Sequence, residues 1–189
     1  MNYINQNNLN KLENLIGTKR YIHSKGVMDE AEKLAKIYNV DSYKAKISGL
    51  FHDCGKFLNK KMAYSFIKEH NLVYEKELLD NYQLLHSHFG VDVAKIIFNI
   101  DDKEILDGIK YHTTLRKNPT QLDKIIYIAD AIEPNRDYEG VEILKKLAYE
   151  NIDKSIYVSL NETIKKLLEH NLYVGNDSIE ARNYLLNKI

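Results

Sequence analysis

Apolar residues recur every three to four positions along most of the chain, a pattern typical of helices with one buried face. A first amphipathic helix is expected to end at Gly17-Thr18, and a second begins near Arg20. A turn over residues 39–42 starts the next helix, and a short one follows up to Asn71. This repeated spacing of apolar residues predicts consecutive helices with short connections.

The second half continues the pattern. One long helix is predicted from Lys76 onward, and Asp101-Asp102 is expected to cap the next. Thr120 and Asp123 have the spacing of a capping box ahead of an apolar helix, and a last helix is predicted from Ser178 to Asn187. With two prolines and no convincing run of strands, the sequence predicts an all-α fold, a helical bundle in one domain over residues 1–189.

The amino-acid composition argues against several classes of function. Lys+Arg and Asp+Glu number 27 each, so zero net charge argues against a protein that coats nucleic acid. The single cysteine, Cys54, cannot form an intramolecular disulfide. No apolar stretch approaches membrane-spanning length, and the N-terminus lacks the form of a secretory signal. A cytoplasmic protein without membrane or nucleic-acid partners is expected.

The most informative segment is the end of the third helix. Ile47, Leu50, Phe51 and Cys54 share one apolar face, and the adjacent pair His52-Asp53 follows at its edge. Gly55 is then expected in the left-handed conformation that ends helices. Imidazole and carboxylate together suit a divalent transition metal better than calcium or magnesium, which prefer oxygen ligands alone.

Further histidines and a carboxylate fall on inward faces of other helices. Any one of them is more often an ordinary core residue than a ligand, and Asp130 could instead form a structural ion pair. Together they match a metal centre of nitrogen and oxygen ligands, whereas His70, His88 and His170 are expected at the surface. The expected ligands are His23, His52, Asp53, His86, His112 and Asp130.

The order and context of these residues resemble a known family. The segments that carry the resemblance are Arg20 to Ser24, His52-Asp53, Leu85-His86, His112 to Thr114, Lys124 to Asp137 and Glu180 to Tyr184. They resemble the HD-domain metal-dependent phosphohydrolases, and within them the bacterial YqeK-like branch of symmetrical diadenosine tetraphosphate hydrolases. The resemblance covers nearly the whole chain and implies an HD-domain helical bundle.

The resemblance also implies how metal is held. His23, His52, Asp53 and Asp130 would bind one ion, and His86 with His112 a second, with the Asp53 carboxylate between the two. The ions would activate a water for attack on phosphorus. Iron is the implied metal, and manganese is possible.

The implied reaction is cleavage of diadenosine tetraphosphate, a small dinucleoside polyphosphate, into two ADP. Asp53 and Lys56 are the expected catalytic residues. A possible homodimer is also implied by the family. The expected substrate-binding residues are Arg20, His23, Lys56, Thr113, Arg116 and Arg136.

The sequence departs from the pattern of this branch at two positions, and three alternative functions stay open. Leu115 stands where the branch would have glycine, and Gly55 where it usually has alanine. One alternative is another HD phosphohydrolase acting on a nucleotide phosphoester. A second is a di-iron oxygenase, and a third is a non-catalytic nucleotide-binding protein.

Overall fold

The computed structural model describes residues 2–189, and this part of the chain folds into eleven α-helices without a β-strand. The all-α prediction is therefore confirmed. The helices are α1 Gln6–Ile16, α2 Thr18–Ile37, α3 Ser42–Phe51, α4 Lys60–Glu69, α5 Lys76–Asp80, α6 Tyr82–Phe98, α7 Lys103–Tyr111, α8 Gln121–Ile132, α9 Val141–Glu150, α10 Ile152–Glu169 and α11 Asn176–Leu186.

The buried apolar side chains form two clusters. One joins α2 and α8 to α9, α10 and α11, and the other joins α1, α4, α6 and α7. Helix α3 contributes side chains to both clusters, since Ala45 lies in the first cluster while Ile47 and Leu50 lie in the second. The ends of α3 and α7 are thereby held between the two clusters.

Several helix starts carry the side-chain caps that the sequence predicts. The side chain of Asp41 accepts hydrogen bonds from two backbone amides of α3, and the side chain of Asp102 accepts hydrogen bonds from two backbone amides of α7. Thr120 and Asp123 form the reciprocal capping box of α8. These caps pair amides that have no partner within the helix, and they fix where α3, α7 and α8 begin.

The prediction of a single long helix from Lys76 onward is wrong. The chain breaks at Asn81, whose ψ of 78° leaves the helical region, so α5 and α6 are separate helices. The Asn81 side chain donates to the carbonyl of Glu77. Such local bonding of an asparagine side chain to the backbone competes with helix continuation.

Gly55 is glycine for a different reason than the one predicted. Its φ is not positive, so it does not adopt the left-handed conformation. A Cβ atom there would lie 2.1 Å from the carbonyl oxygen of His86 and 2.8 Å from the amide nitrogen of Gly90. The glycine lets the segment after α3 pack directly on the backbone of α6.

Leu115 adopts the backbone conformation that glycine would favour. Its φ is 62°, in the left-handed region, and its side chain is fully buried in the cluster around α8. The chain therefore keeps the turn after His112 and offsets the steric cost with apolar burial.

None of the helices within residues 2–189 is both long enough and apolar enough to cross a bilayer.

Candidate metal centre

Six side chains meet at one point between the two clusters. Two lie directly after α3, one lies directly after α7, and the others project from α2, α6 and α8. The four central ones are almost completely buried, and the remaining two are partly exposed. They are His23, His52, Asp53, His86, His112 and Asp130, the same six that the sequence singles out.

The first group comprises His23, His52 and Asp130. The Nε2 atom of His23 lies 3.0 Å from Asp130 Oδ1 and 3.3 Å from His52 Nε2. His52 Nε2 lies 3.9 Å from the same Asp130 oxygen. The three donor atoms therefore face one small volume.

The second group surrounds Asp53. Its Oδ1 atom lies 3.5 Å from His86 Nε2 and 3.4 Å from His112 Nε2, and the two imidazole nitrogens are 3.0 Å apart. Its Oδ2 atom faces the first group, 3.7 Å from His52 Nε2. The two oxygens of one carboxylate thus point to different groups.

Backbone carbonyls fix two of the imidazole rings. His52 Nδ1 lies 2.7 Å from the carbonyl oxygen of Gly49, and His112 Nδ1 lies 2.7 Å from that of Ile109. A carbonyl only accepts, so Nδ1 carries the proton and donates. In the neutral form of each ring, the unprotonated Nε2 atom then aims its lone pair into the site, as a metal ligand requires.

Glu133 orients a third ring and is a residue that the sequence reasoning missed. It is 2 % exposed, and its Oε1 atom lies 3.0 Å from His23 Nδ1. Its Oε2 atom accepts from the backbone and side-chain nitrogens of Asn135, each at 2.8 Å. The signal for it in the sequence is a carboxylate directly after an apolar helix and directly before Pro134.

Burial keeps His52 and His86 neutral. Loss of solvation lowers the pKa of His52 to about 4 and holds the pKa of His86 well below its usual range. Burial would raise the pKa of Asp53, but the surrounding imidazoles and Lys56 outweigh it and lower that pKa. Neutral imidazoles beside an ionised carboxylate are the protonation states that bind metal.

His23 and Asp130 each stabilise the charged form of the other. Burial disfavours the protonated imidazole, but the hydrogen bond and charge of Asp130 outweigh it and raise the pKa of His23. Burial likewise disfavours the Asp130 carboxylate, and the hydrogen bond from His23 outweighs it, so the Asp130 pKa is lowered. Each group favours a positive charge between the two, which a proton or a metal ion can supply.

The donor set fits a divalent metal. Asp53 Oδ1 accepts no hydrogen bond of good geometry, although Lys56 Nζ is 3.1 Å away, and the buried Nδ1 of His86 has no partner among the described residues. Four imidazoles and two carboxylates converge without a thiolate, since the one cysteine, Cys54, lies in the apolar cluster. The arrangement can hold a divalent metal through nitrogen and oxygen ligands.

Three cations border this centre. Lys56 pairs with Asp53, and Arg20 Nε lies 3.5 Å from the other oxygen of the same carboxylate. Arg136 binds both the side chain and the carbonyl of Asp130. The structure therefore brings these three predicted cations to the site.

Thr113 also lies at the site. Its hydroxyl oxygen is 3.2 Å from His86 Nε2 and 3.1 Å from His112 Nε2. The hydroxyl can donate a hydrogen bond into the same volume.

Two expectations about side chains need correction. Arg116 is not brought to the centre, because its guanidinium binds Asp123 at 2.8 Å and Asp107 at 3.2 Å and stacks on Tyr111. It is a structural cation that binds the Asp123 carboxylate in the first turn of α8. His88 is half-buried rather than at the surface, and it lines a small pocket with Glu75 and Asp177.

Two cavities adjoin five of the six side chains. The small cavity has a volume of about 260 Å³, and the large cavity about 970 Å³. The small cavity is lined by His86, His112, Asp130, Tyr127, Ser159 and Thr163. The large cavity is lined by His23, Asp53, Arg20, Ile22, Leu58 and Glu133.

The chain is similar to known proteins over most of its length. The HD domain family model matches residues 20–135. The chain is 38% identical over 167 residues to a symmetrical bis(5'-nucleosyl)-tetraphosphatase of Halalkalibacterium halodurans, covering 88% of this chain and 89% of the relative. The protein of the same name from Bacillus subtilis is also 38% identical, over 168 residues, with the same coverage of both chains.

A solved structure shares the fold. It is the crystal structure of a protein from Clostridium acetobutylicum, described as a predicted HD superfamily hydrolase involved in NAD metabolism. The TM-score is 0.89 at 42% sequence identity, and the match covers 96% of both chains. The similarity thus extends from the matched domain to the helices on either side of it.

Proposed function

The chain belongs to the HD domain family and, within it, to the symmetrical bis(5'-nucleosyl)-tetraphosphatases, and we propose on this premise that it hydrolyses diadenosine tetraphosphate to two ADP. The observation that carries the proposal is the convergence of the six nitrogen and oxygen donors between two cavities, with cations on both sides. That arrangement suits a polyanion whose reacting phosphate lies in the middle.

The proposed metal is iron, and manganese is the alternative that the same ligands fit. His23, His52 and Asp130 would hold one ion, and His86 with His112 the other, with Asp53 shared through its two oxygens. When bound, such ions lower the pKa of a coordinated water toward ~7 and so provide a nucleophile at neutral pH.

The chain's own cations would hold the polyphosphate. Lys56 and Arg136 line both cavities, so a substrate that passes from one to the other meets both. The oxygen of a water adds to a phosphorus and releases a proton to solvent as the bond to the bridging oxygen breaks, and that bridging oxygen leaves with its electron pair on the departing ADP. The two cations and the hydroxyl of Thr113 would stabilise the charge that develops.

Three further features belong to the same proposal. Residues 1–189 form one HD-type phosphohydrolase domain, the protein acts in the cytoplasm, and two copies form a homodimer. Light scattering of the metal-loaded protein tests the last of these, because a monomer would contradict it.

The proposal is tested by turnover with added metal. The protein is loaded with iron under anaerobic conditions or with manganese, and release of ADP from diadenosine tetraphosphate is followed by chromatography. Asp53→Ala should abolish turnover, since it removes the carboxylate between both groups. Asp29→Ala, at an exposed position on α2, should leave turnover unchanged. Turnover that survives in Asp53→Ala or after chelation would contradict the metal mechanism.

A further inference from the structure

The two cavities on either side of the metal centre differ in size and in chemistry. The small cavity, about 260 Å³, is below the usual volume of a small-molecule site, and the large cavity, about 970 Å³, is near its upper end. A dinucleoside polyphosphate has two equal halves, so the small cavity cannot enclose both. One half must extend into the large cavity or into solvent.

The lining of the large cavity favours a bound nucleotide over solvent. Ile22 and Leu58 line it and are 48% and 58% exposed, so two large apolar side chains of its lining are accessible to a ligand. Lys19 also lines it and has no ion-pair partner among the described residues, and Arg20 adds a second cation. Exposed apolar surface beside two positive charges, of which that of Lys19 is unpaired, suits a purine with phosphates.

The donor side chains of the centre are divided between the linings of the two cavities. His23 and Asp53 line the large cavity, whereas His86, His112 and Asp130 line the small one. Cleavage to two ADP places two phosphates on each side of the broken bond. A substrate with its middle phosphates at the centre therefore has one nucleoside directed toward each cavity.

We propose that the large cavity is the subsite for the second nucleotide, with Ile22 and Leu58 packing on its adenine base and Lys19 and Arg20 holding its phosphates. The proposal rests on the function proposed above and adds the residues that select a substrate with two nucleosides. These residues are specific to the large cavity, so their loss should weaken binding of one half only.

The test compares a ligand that has nucleosides with one that has none. The Michaelis constant for diadenosine tetraphosphate is measured with manganese-loaded protein, together with the inhibition constant of inorganic tetraphosphate, which has four phosphates and no nucleoside. In Ile22→Ala/Leu58→Ala the Michaelis constant should rise about tenfold, which is about 1.4 kcal/mol of binding. The inhibition constant should change less than twofold, since inorganic tetraphosphate has no base to pack on these two side chains.

The single variants Ile22→Ala and Leu58→Ala should each give part of the increase. Ile143→Ala is the matched control, because Ile143 is a 65% exposed apolar residue of α9 that lines neither cavity. An unchanged Michaelis constant, or equal rises in both constants, would overturn the subsite. If the wild-type protein forms no ADP at all, the proposed function fails and the subsite falls with it.

Discussion

Glu133 holds the ring of His23 through a buried carboxylate whose two oxygens have different donors. One oxygen accepts from His23 Nδ1, and the other accepts twice from Asn135. A glutamine at this position would have to point its amide NH₂ group at one of these donors. Its charge would also be missing opposite the imidazole.

We therefore predict that Glu133→Gln weakens manganese binding by about tenfold, the lower end of what loss of a partner behind a ligand histidine usually costs. Equilibrium dialysis against a competing chelator measures this affinity. Glu150→Gln is the control, because Glu150 is exposed at the end of α9. Equal affinities in the wild type and in Glu133→Gln would show that Glu133 does not position a ligand.

Leu115 combines a left-handed backbone with a fully buried side chain, so two opposing effects can be separated. Leu115→Ala removes the buried side chain but keeps the strain, and should lower the free energy of unfolding by about 2–5 kcal/mol. Leu115→Gly loses the same contacts but relieves the strain, and should be about 1 kcal/mol more stable than Leu115→Ala. Urea unfolding of the two variants measures the difference, and a less stable glycine variant would contradict it.

The packing of α6 against the segment after α3 depends on the missing side chain of Gly55. A Cβ atom would meet backbone atoms of His86 and Gly90, which cannot rotate away. Gly55→Ala should therefore displace α6, lower the free energy of unfolding by about 1–3 kcal/mol and weaken metal binding through His86. Thermal unfolding and metal titration measure the two effects.

Gly175→Ala is the matched control for Gly55→Ala. Its Cβ atom would lie 3.4 Å from the side chain of Thr114, an ordinary contact, and its φ is −63°. A Gly55→Ala variant as stable as Gly175→Ala would show that the close approach of the two backbones is not needed.

Elements that depend on local chemistry were predictable from the sequence. The caps at Asp41, Asp102 and Thr120 follow from short-range spacing, and the inward direction of His86 and His112 follows from helical periodicity. Features that depend on contacts between residues far apart in the sequence were not predictable.

Long-range packing explains the positions that sequence reasoning missed. Gly55 is constrained by α6, and Glu133 is a partner of His23, 110 residues away in sequence. Arg116 is drawn to Asp107 and Asp123 instead of to the centre. The sequence predicts the six donors. The two cavities beside them form only where the folded helices pack together, so they could not be predicted from the sequence.

The six candidate metal ligands join the two apolar clusters of the whole molecule. His23 and Asp130 come from α2 and α8 of the first cluster, and His86 from α6 of the second. Metal should therefore stabilise both clusters together. We predict one thermal unfolding transition, with free metal at 100 times its dissociation constant adding about 2.7 kcal/mol.

Calorimetry with and without chelator measures that contribution. Two separate transitions would contradict a single domain over residues 1–189. An unfolding temperature that does not respond to chelation would contradict a metal ion held between the clusters.

The central claim is symmetric, metal-dependent cleavage, and the identity of the products tests it most directly. Metal-loaded protein is incubated with diadenosine tetraphosphate, and the nucleotides are resolved by chromatography before the reaction is complete. We predict ADP as the only nucleotide product, two for each substrate consumed, and none after chelation. Equal amounts of AMP and ATP, or ADP formation that survives chelation, would contradict it.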